Sequence, residues 1–263
     1  SKISPTSLFQ CVILKQIKKN IMKKIGIAFG SGGARGIAHL LMVEALDELG
    51  IKPVIISGSS IGAIIGAFYA AGFNARDMKK ILDKLINPKS RTIFDFFLKS
   101  DIIKLLTMFD PQFIKSGIIK GDKFQNFLES HLNVLKFEDL EVPLKIIATD
   151  YWNKEQIIFE KGELFPAIRA SYSLPGLFTP VKLKNKILID GGAVNPLPYD
   201  IIKKQCDITI AIDITSFRTM NGKEIPATID SVFTAYQIMQ NSIIQEKLKH
   251  VRPDIYIKPE IYD

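Results

Sequence analysis

A serine with glycines two positions to either side, Gly58-Ser59-Ser60-Ile61-Gly62, stands where the apolar run Pro53-Val54-Ile55-Ile56 gives way to a helical pattern of small residues, Ala63-Ile64-Ile65-Gly66-Ala67. Strand, sharp turn and helix are the setting of a nucleophile elbow, in which a strained turn presents the serine oxygen at a helix N-terminus. The glycines let neighbouring backbone pass where a Cβ would clash. Ser60 holds this register and Ser59 does not, since Ser57 and Ile61 stand where Ser59 would need glycines. The plainer alternative is a helix N-cap made by either serine.

A second glycine cluster, Gly30-Ser31-Gly32-Gly33-Ala34-Arg35-Gly36, follows another strand-like run, Lys24-Ile25-Gly26-Ile27-Ala28-Phe29, and opens a helical pattern through Leu49. In a parallel sheet both turns open at the carboxyl ends of their strands, where open α/β sheets carry their sites. Unpaired amides at a helix start suit a phosphate or an oxyanion. The dinucleotide fingerprint fails: counted from Gly30 its third glycine falls on Arg35, and counted from Gly32 its second falls on Ala34. No Gly-Lys-Ser/Thr ending makes a P-loop, and no acid follows the second strand to hold a ribose. What remains is an oxyanion hole, with amides aimed at the charge of a tetrahedral acyl intermediate.

A serine nucleophile needs a base. The chain has three histidines, His39, His131 and His250, none in a turn after a strand. His39 reads as a packed histidine inside the first helix, and the other two read as exposed. Asp190 is the better candidate, because it ends the strand-like run Lys186-Ile187-Leu188-Ile189 and is followed directly by Gly191-Gly192.

These three pieces, in this order, resemble the patatin-like phospholipase family. The resemblance runs from about Lys23 to Pro259 and includes Ala148-Thr149-Asp150, Ala167-Ile168-Arg169-Ala170-Ser171, Leu174-Pro175-Gly176-Leu177-Phe178-Thr179-Pro180-Val181 and Val194-Asn195-Pro196-Leu197-Pro198. It implies a Ser60–Asp190 dyad, oxyanion donors at Gly32 and Gly33, and structural glycines at Gly58, Gly62, Gly191 and Gly192. Acyl esters of phospholipids or lysophospholipids are the implied substrates, reached by transient contact with a membrane surface, with no metal or organic cofactor. Arg35 either holds a lipid phosphate or ties its own loop to a nearby carboxylate or carbonyl. One departure is that the family's usual three glycines are here Ser31-Gly32-Gly33. Alternatives are a non-lipid esterase or thioesterase, and a non-catalytic regulatory protein of the same fold.

The elements that must position these residues read as one α/β domain, residues 22–263, in three layers around a mostly parallel sheet. Strands are expected at 24–29, 53–57, 143–150, 156–160, 186–189 and 207–213, with a late edge strand at 254–258. Helices are expected at 34–49, 60–72, 74–86, 121–131, 163–172, 198–205 and 228–249. Val54-Ile55-Ile56, Lys145-Ile146-Ile147-Ala148 and Thr209-Ile210-Ala211-Ile212 are apolar without alternation, as strands covered on both faces should be.

Charge and cysteine content narrow the partners. Six lysines and no acid in the first 24 residues supply six of the net charge of +8, and the remaining chain is near neutral. No nucleic-acid partner is expected. Residues 1–21 read as an extension or expression remnant outside the fold, since Met22-Lys23-Lys24 looks like a natural start. The apolar stretch Val12-Ile13-Leu14 is too short for a signal peptide. Two cysteines, Cys11 and Cys206, make no disulfide framework, so the cytosol is the expected compartment. Between 88 and 127 phenylalanines and isoleucines interleave with lysines, which suits either an insertion packed on the helices or an interfacial lid hinged at Gly117 and Gly121.

Overall fold

The computed structural model describes residues 23–86, 121–215 and 228–259. The 1–21 extension, Cys11, and all of the 88–127 segment before Gly121 therefore lie outside the described residues, as does Gly117.

The first half of the domain alternates strand and helix: β1 (Ile25–Phe29), a 3-10 turn (Gly33–Gly36), α1 (Ile37–Glu48), β2 (Ile55–Ser59), α2 (Ile61–Ala70) and α3 (Ala75–Ile86). There follow α4 (Asp122–His131), β3 (Leu144–Asp150), β4 (Glu155–Phe159), α5 (Leu164–Ser171), β5 (Val181–Leu183) and β6 (Lys186–Asp190). The chain continues with β7 (Ile208–Ile212), α6 (Thr228–His250) and β8 (Ile255–Ile257).

All eight strands join one sheet in the order β5-β6-β3-β2-β1-β7-β8, with β4 also paired to β3. The five strands from β3 to β8 run parallel, and β4, β5 and β6 add antiparallel pairs. The sheet is covered on both sides, which is why its strands lack alternation. Ile27, Phe29, Ile56, Ile146, Ile210 and Ile212 pack with residues of α1, α2 and α5. Their neighbours Ile55, Ala28 and Ala211 face the other way, toward Leu197, Tyr199, Ile202 and Ile244 of α6.

Register at β3 governs the site. β4 lies against Ile146–Asp150, β2 against Leu144–Ile147 and β6 against Ala148–Asp150. A strand has two edges, so the overlaps require β4 to hold one edge and β2 and β6 to share the other, end to end. β2 runs parallel to β3 and β6 antiparallel, so their carboxyl ends point at each other and meet between Ile147 and Ala148.

The expected strands and most helices are present, with four differences. No α-helix forms at 198–205, only turns and a 3-10 segment at Lys203–Gln205. The carbonyls that would begin such a helix are taken by other donors: Leu197 O by Lys247 Nζ, and Pro198 O by Ser57 Oγ. β2 continues to Ser59, because Ser59 still pairs with Ile147. The three-residue β5 is added by its antiparallel ladder with β6. His131, read as exposed, is half-buried, with Nδ1 donating to the Phe127 carbonyl at 2.9 Å.

Candidate active site

Ser60 stands between β2 and α2 with φ 57° and ψ −123°, a left-handed conformation that an L-residue adopts at a cost of about 1–3 kcal/mol. Close packing holds it there. A Cβ at Gly58 would lie 2.3 Å from the Gly62 carbonyl oxygen, and one at Gly62 would lie 2.2 Å from the Phe29 carbonyl oxygen. Only glycine lets the start of α2 press onto the end of β1. Ser59, the other serine of the turn, ends β2 fully buried.

The end-to-end meeting of β2 and β6 delivers Asp190 to Ser60. Ser60 Oγ donates to Asp190 Oδ2 at 2.6 Å, across 130 residues of sequence. The backbones of both are tied to the end of α5: Ser60 N–H donates to Ser171 Oγ at 2.9 Å, and Asp190 N–H to the Ser173 carbonyl at 2.9 Å. Thr149 Oγ1 on β3 donates to the Asp190 carbonyl at 2.7 Å.

The other carboxylate oxygen, Oδ1, accepts from the Gly192 amide at 2.7 Å and from Tyr236 Oη at 3.2 Å. Gly191 and Gly192 begin a 3-10 turn that Asp190 itself caps. Burial of Asp190 raises its pKa to about 6, against the pull of the Ser60, Gly192 and Tyr236 donors, each of which favours the charged form. A carboxylate in that range is a better proton acceptor at neutral pH than an ordinary aspartate, and it is still ionised there. Tyr236 carries no signal in the sequence, because it lies on α6, far along the chain, in a helix whose facing is set only by packing.

The glycine loop packs against the immediate neighbours of Ser60 and of Asp190. A Cβ at Gly36 would strike the Ile61 side chain, and one at Gly192 would lie 2.7 Å from Ser31 Oγ. Gly33 adopts φ 59° at the start of the 3-10 turn, whose first amides have no partner within the turn. His39 anchors the loop from below: its Nε2–H donates to the Gly30 carbonyl at 2.8 Å, and its ring stands edge-on to Phe29. Burial lowers the His39 pKa to about 4, so the ring is neutral and structural at physiological pH, as its sequence position suggested. The Arg35 side chain lies outside the described residues. Among the described residues no group of three His, Cys, Asp or Glu side chains gathers where a metal ion could sit.

The chain as a whole is similar to known proteins. An uncharacterized NTE family protein of Mycobacterium tuberculosis is 33% identical over 211 residues, covering 80% of this chain and 52% of that protein. Lysophospholipase NTE1 of Candida albicans is 30% identical over 216 residues, covering 79% of this chain and 15% of that protein. The chain thus spans about half the length, or less, of these curated relatives. Among solved structures, VipD from Legionella pneumophila aligns with a TM-score of 0.49 at 16% identity, covering 81% of this chain and 52% of that one. The patatin-like phospholipase family model matches residues 27–202, which include the glycine loop, Ser60 and Asp190, and so the chain belongs to the patatin-like phospholipase family.

Proposed function

We propose that the chain is a serine acylhydrolase that cleaves acyl esters of phospholipids or lysophospholipids through a Ser60–Asp190 dyad and an acyl-enzyme intermediate. The observation that carries this reading is the 2.6 Å hydrogen bond from Ser60 Oγ to Asp190 Oδ2, at a strained turn beside a glycine-rich loop. The lipid substrate class is supported by the family match and by fungal relatives that bear the name lysophospholipase. Two cysteines and an ester substrate of this kind favour work in the cytosol against a membrane surface.

Asp190 takes the hydroxyl proton as Ser60 Oγ attacks the acyl carbonyl. Negative charge then builds on the carbonyl oxygen, where the Gly32 and Gly33 amides receive it, each worth on the order of 3 kcal/mol in comparable sites. The protonated Asp190 returns its proton to the departing alcohol, which leaves an ester on Ser60. A water molecule, deprotonated by Asp190, then frees the acid and restores the serine. Oδ2 carries the proton in both halves, while Gly192 and Tyr236 hold Oδ1 still.

The test is hydrolysis of a lysophospholipid and a soluble ester, together with labelling by a fluorophosphonate probe. Ser60→Ala should lose the label, and both Ser60→Ala and Asp190→Asn should lose about 10³-fold or more in turnover with an unchanged circular dichroism spectrum. Substantial turnover in either folded variant would discard the dyad. Labelling of the wild type without turnover on any ester would point to a protein that keeps the site but not the activity.

A further inference from the structure

We propose that the turn Tyr151–Lys154, with the lysines of the neighbouring β5–β6 hairpin, is a docking surface for an anionic lipid membrane. Trp152 is the only tryptophan of the chain, and 72% of it is exposed at the tip between β3 and β4. Tyr151 beside it is 48% exposed, and the two rings meet edge to face with centroids 4.9 Å apart. Tryptophan is ordinarily well buried, so two adjacent aromatics held out in water call for a partner.

The turn is built to hold them out. The buried Asp150 carboxylate accepts the Trp152 amide at 3.2 Å and the Asn153 amide at 3.3 Å on Oδ1. Its Oδ2 accepts Asn153 Nδ2 at 2.9 Å and Lys186 Nζ at 2.5 Å, and its carbonyl accepts the Lys154 amide at 2.8 Å. A loose surface loop would not need a buried carboxylate with this many partners.

Charge selects the occupant. Lys154, Lys182 and Lys184 are exposed and make no ion pair among the described residues. The acids beside them, Asp150 and Glu155, are both engaged by Lys186, at 2.5 and 3.7 Å. What remains outward is aromatic surface ringed by cations, the composition that settles at the headgroup level of a bilayer with anionic lipids. Position agrees with it. β3 carries both features: its Ile147–Ala148 step borders the meeting of Ser60 and Asp190, and the turn begins three residues beyond Ala148, about 10 Å along the strand. Docking there sets the carboxyl end of β2, which leads into Ser60, toward the lipid.

The proposal takes its purpose from the lipid-ester reading of the site, but its test does not depend on catalysis. The single tryptophan makes the full chain its own probe. With the Ser60→Ala chain, vesicles of phosphatidylcholine containing phosphatidylglycerol should shift Trp152 emission to the blue, and brominated acyl chains should quench it. Phosphatidylcholine alone or added salt should weaken both effects. The double variant Lys182→Glu, Lys184→Glu should lower vesicle affinity by about tenfold or more. In the active chain, Trp152→Ala should slow hydrolysis on vesicles while leaving a soluble ester untouched. Vesicle binding without any shift or quenching of Trp152 would put the contact elsewhere, such as the lysine-rich first 24 residues, and would overturn the proposal, as would absence of binding. Loss of hydrolysis in the wild type with the Trp152 response intact would sink the hydrolase reading and leave the surface standing.

Discussion

Asp190 is held between opposing influences: burial favours its neutral form, and three donors favour its charge. Tyr236 is the donor that can be removed without touching either the backbone or Ser60. Tyr236→Phe takes one hydrogen bond from the ionised carboxylate, so the pKa of Asp190 rises and the acid limb of kcat/KM on a soluble ester should move up by about half a pH unit or more. A profile that stays in place, with only the rate lowered, would reduce Tyr236 to packing. Ser60 and Asp190 were legible in the sequence because both stand at strand ends beside glycines, and such turns tolerate few other residues. Tyr236 was not, since a hydroxyl on a helix has no local pattern to mark what it faces, and Ser171 stood in a stretch of family resemblance without its contact to Ser60 being legible.

The elements are coupled to the site by one partly buried cation. Lys247 on α6 donates to Asn195 Oδ1 at 2.5 Å, Leu197 O at 2.6 Å and Asp200 Oδ1 at 2.6 Å, and its ammonium lies 4.7 Å from the centre of the Tyr199 ring. It thereby fastens α6, the carrier of Tyr236, to the chain just past Gly191-Gly192. Lys247→Met keeps most of the stem but removes a donor from three acceptors, of which Leu197 O keeps the Tyr199 amide and Asp200 Oδ1 keeps Asn195 Nδ2, so urea denaturation should show a loss of about 1–3 kcal/mol. An unchanged midpoint would mean that water replaces the ammonium without cost. The same cluster explains the absent helix at 198–205: the sequence has helical composition there, but the carbonyls are spent on tertiary partners. Strands were easier to read than this segment, because an apolar run covered on both faces looks alike in any register.

Across the whole molecule two buried groups give stability opposite dependences on pH. His39 falls from 6.5 to about 4 on folding, so its contribution is complete above about pH 6.5 and is lost as pH drops toward 4. Asp190 rises from 3.8 to about 6, so its charge penalises the fold progressively as pH climbs from about 4 to 6. The two slopes oppose each other over the same interval. Asp190→Asn should therefore be more stable than the wild type at pH 7, by up to about 3 kcal/mol, with no gain at pH 4, as read from urea unfolding at both values. Equal stability at pH 7 would show that the donors around the carboxylate already offset its burial. The sequence by itself determined the strand-turn-helix units, the serine at the elbow and the aspartate before its glycines, because local backbone chemistry restricts which residues can stand there. Only the tertiary structure decided that β2 and β6 share one edge of β3 with their carboxyl ends opposed, and so that two residues far apart in the chain meet at hydrogen-bonding distance. Pairing register is a long-range choice, made by which strands lie side by side, and no local stretch of residues encodes it.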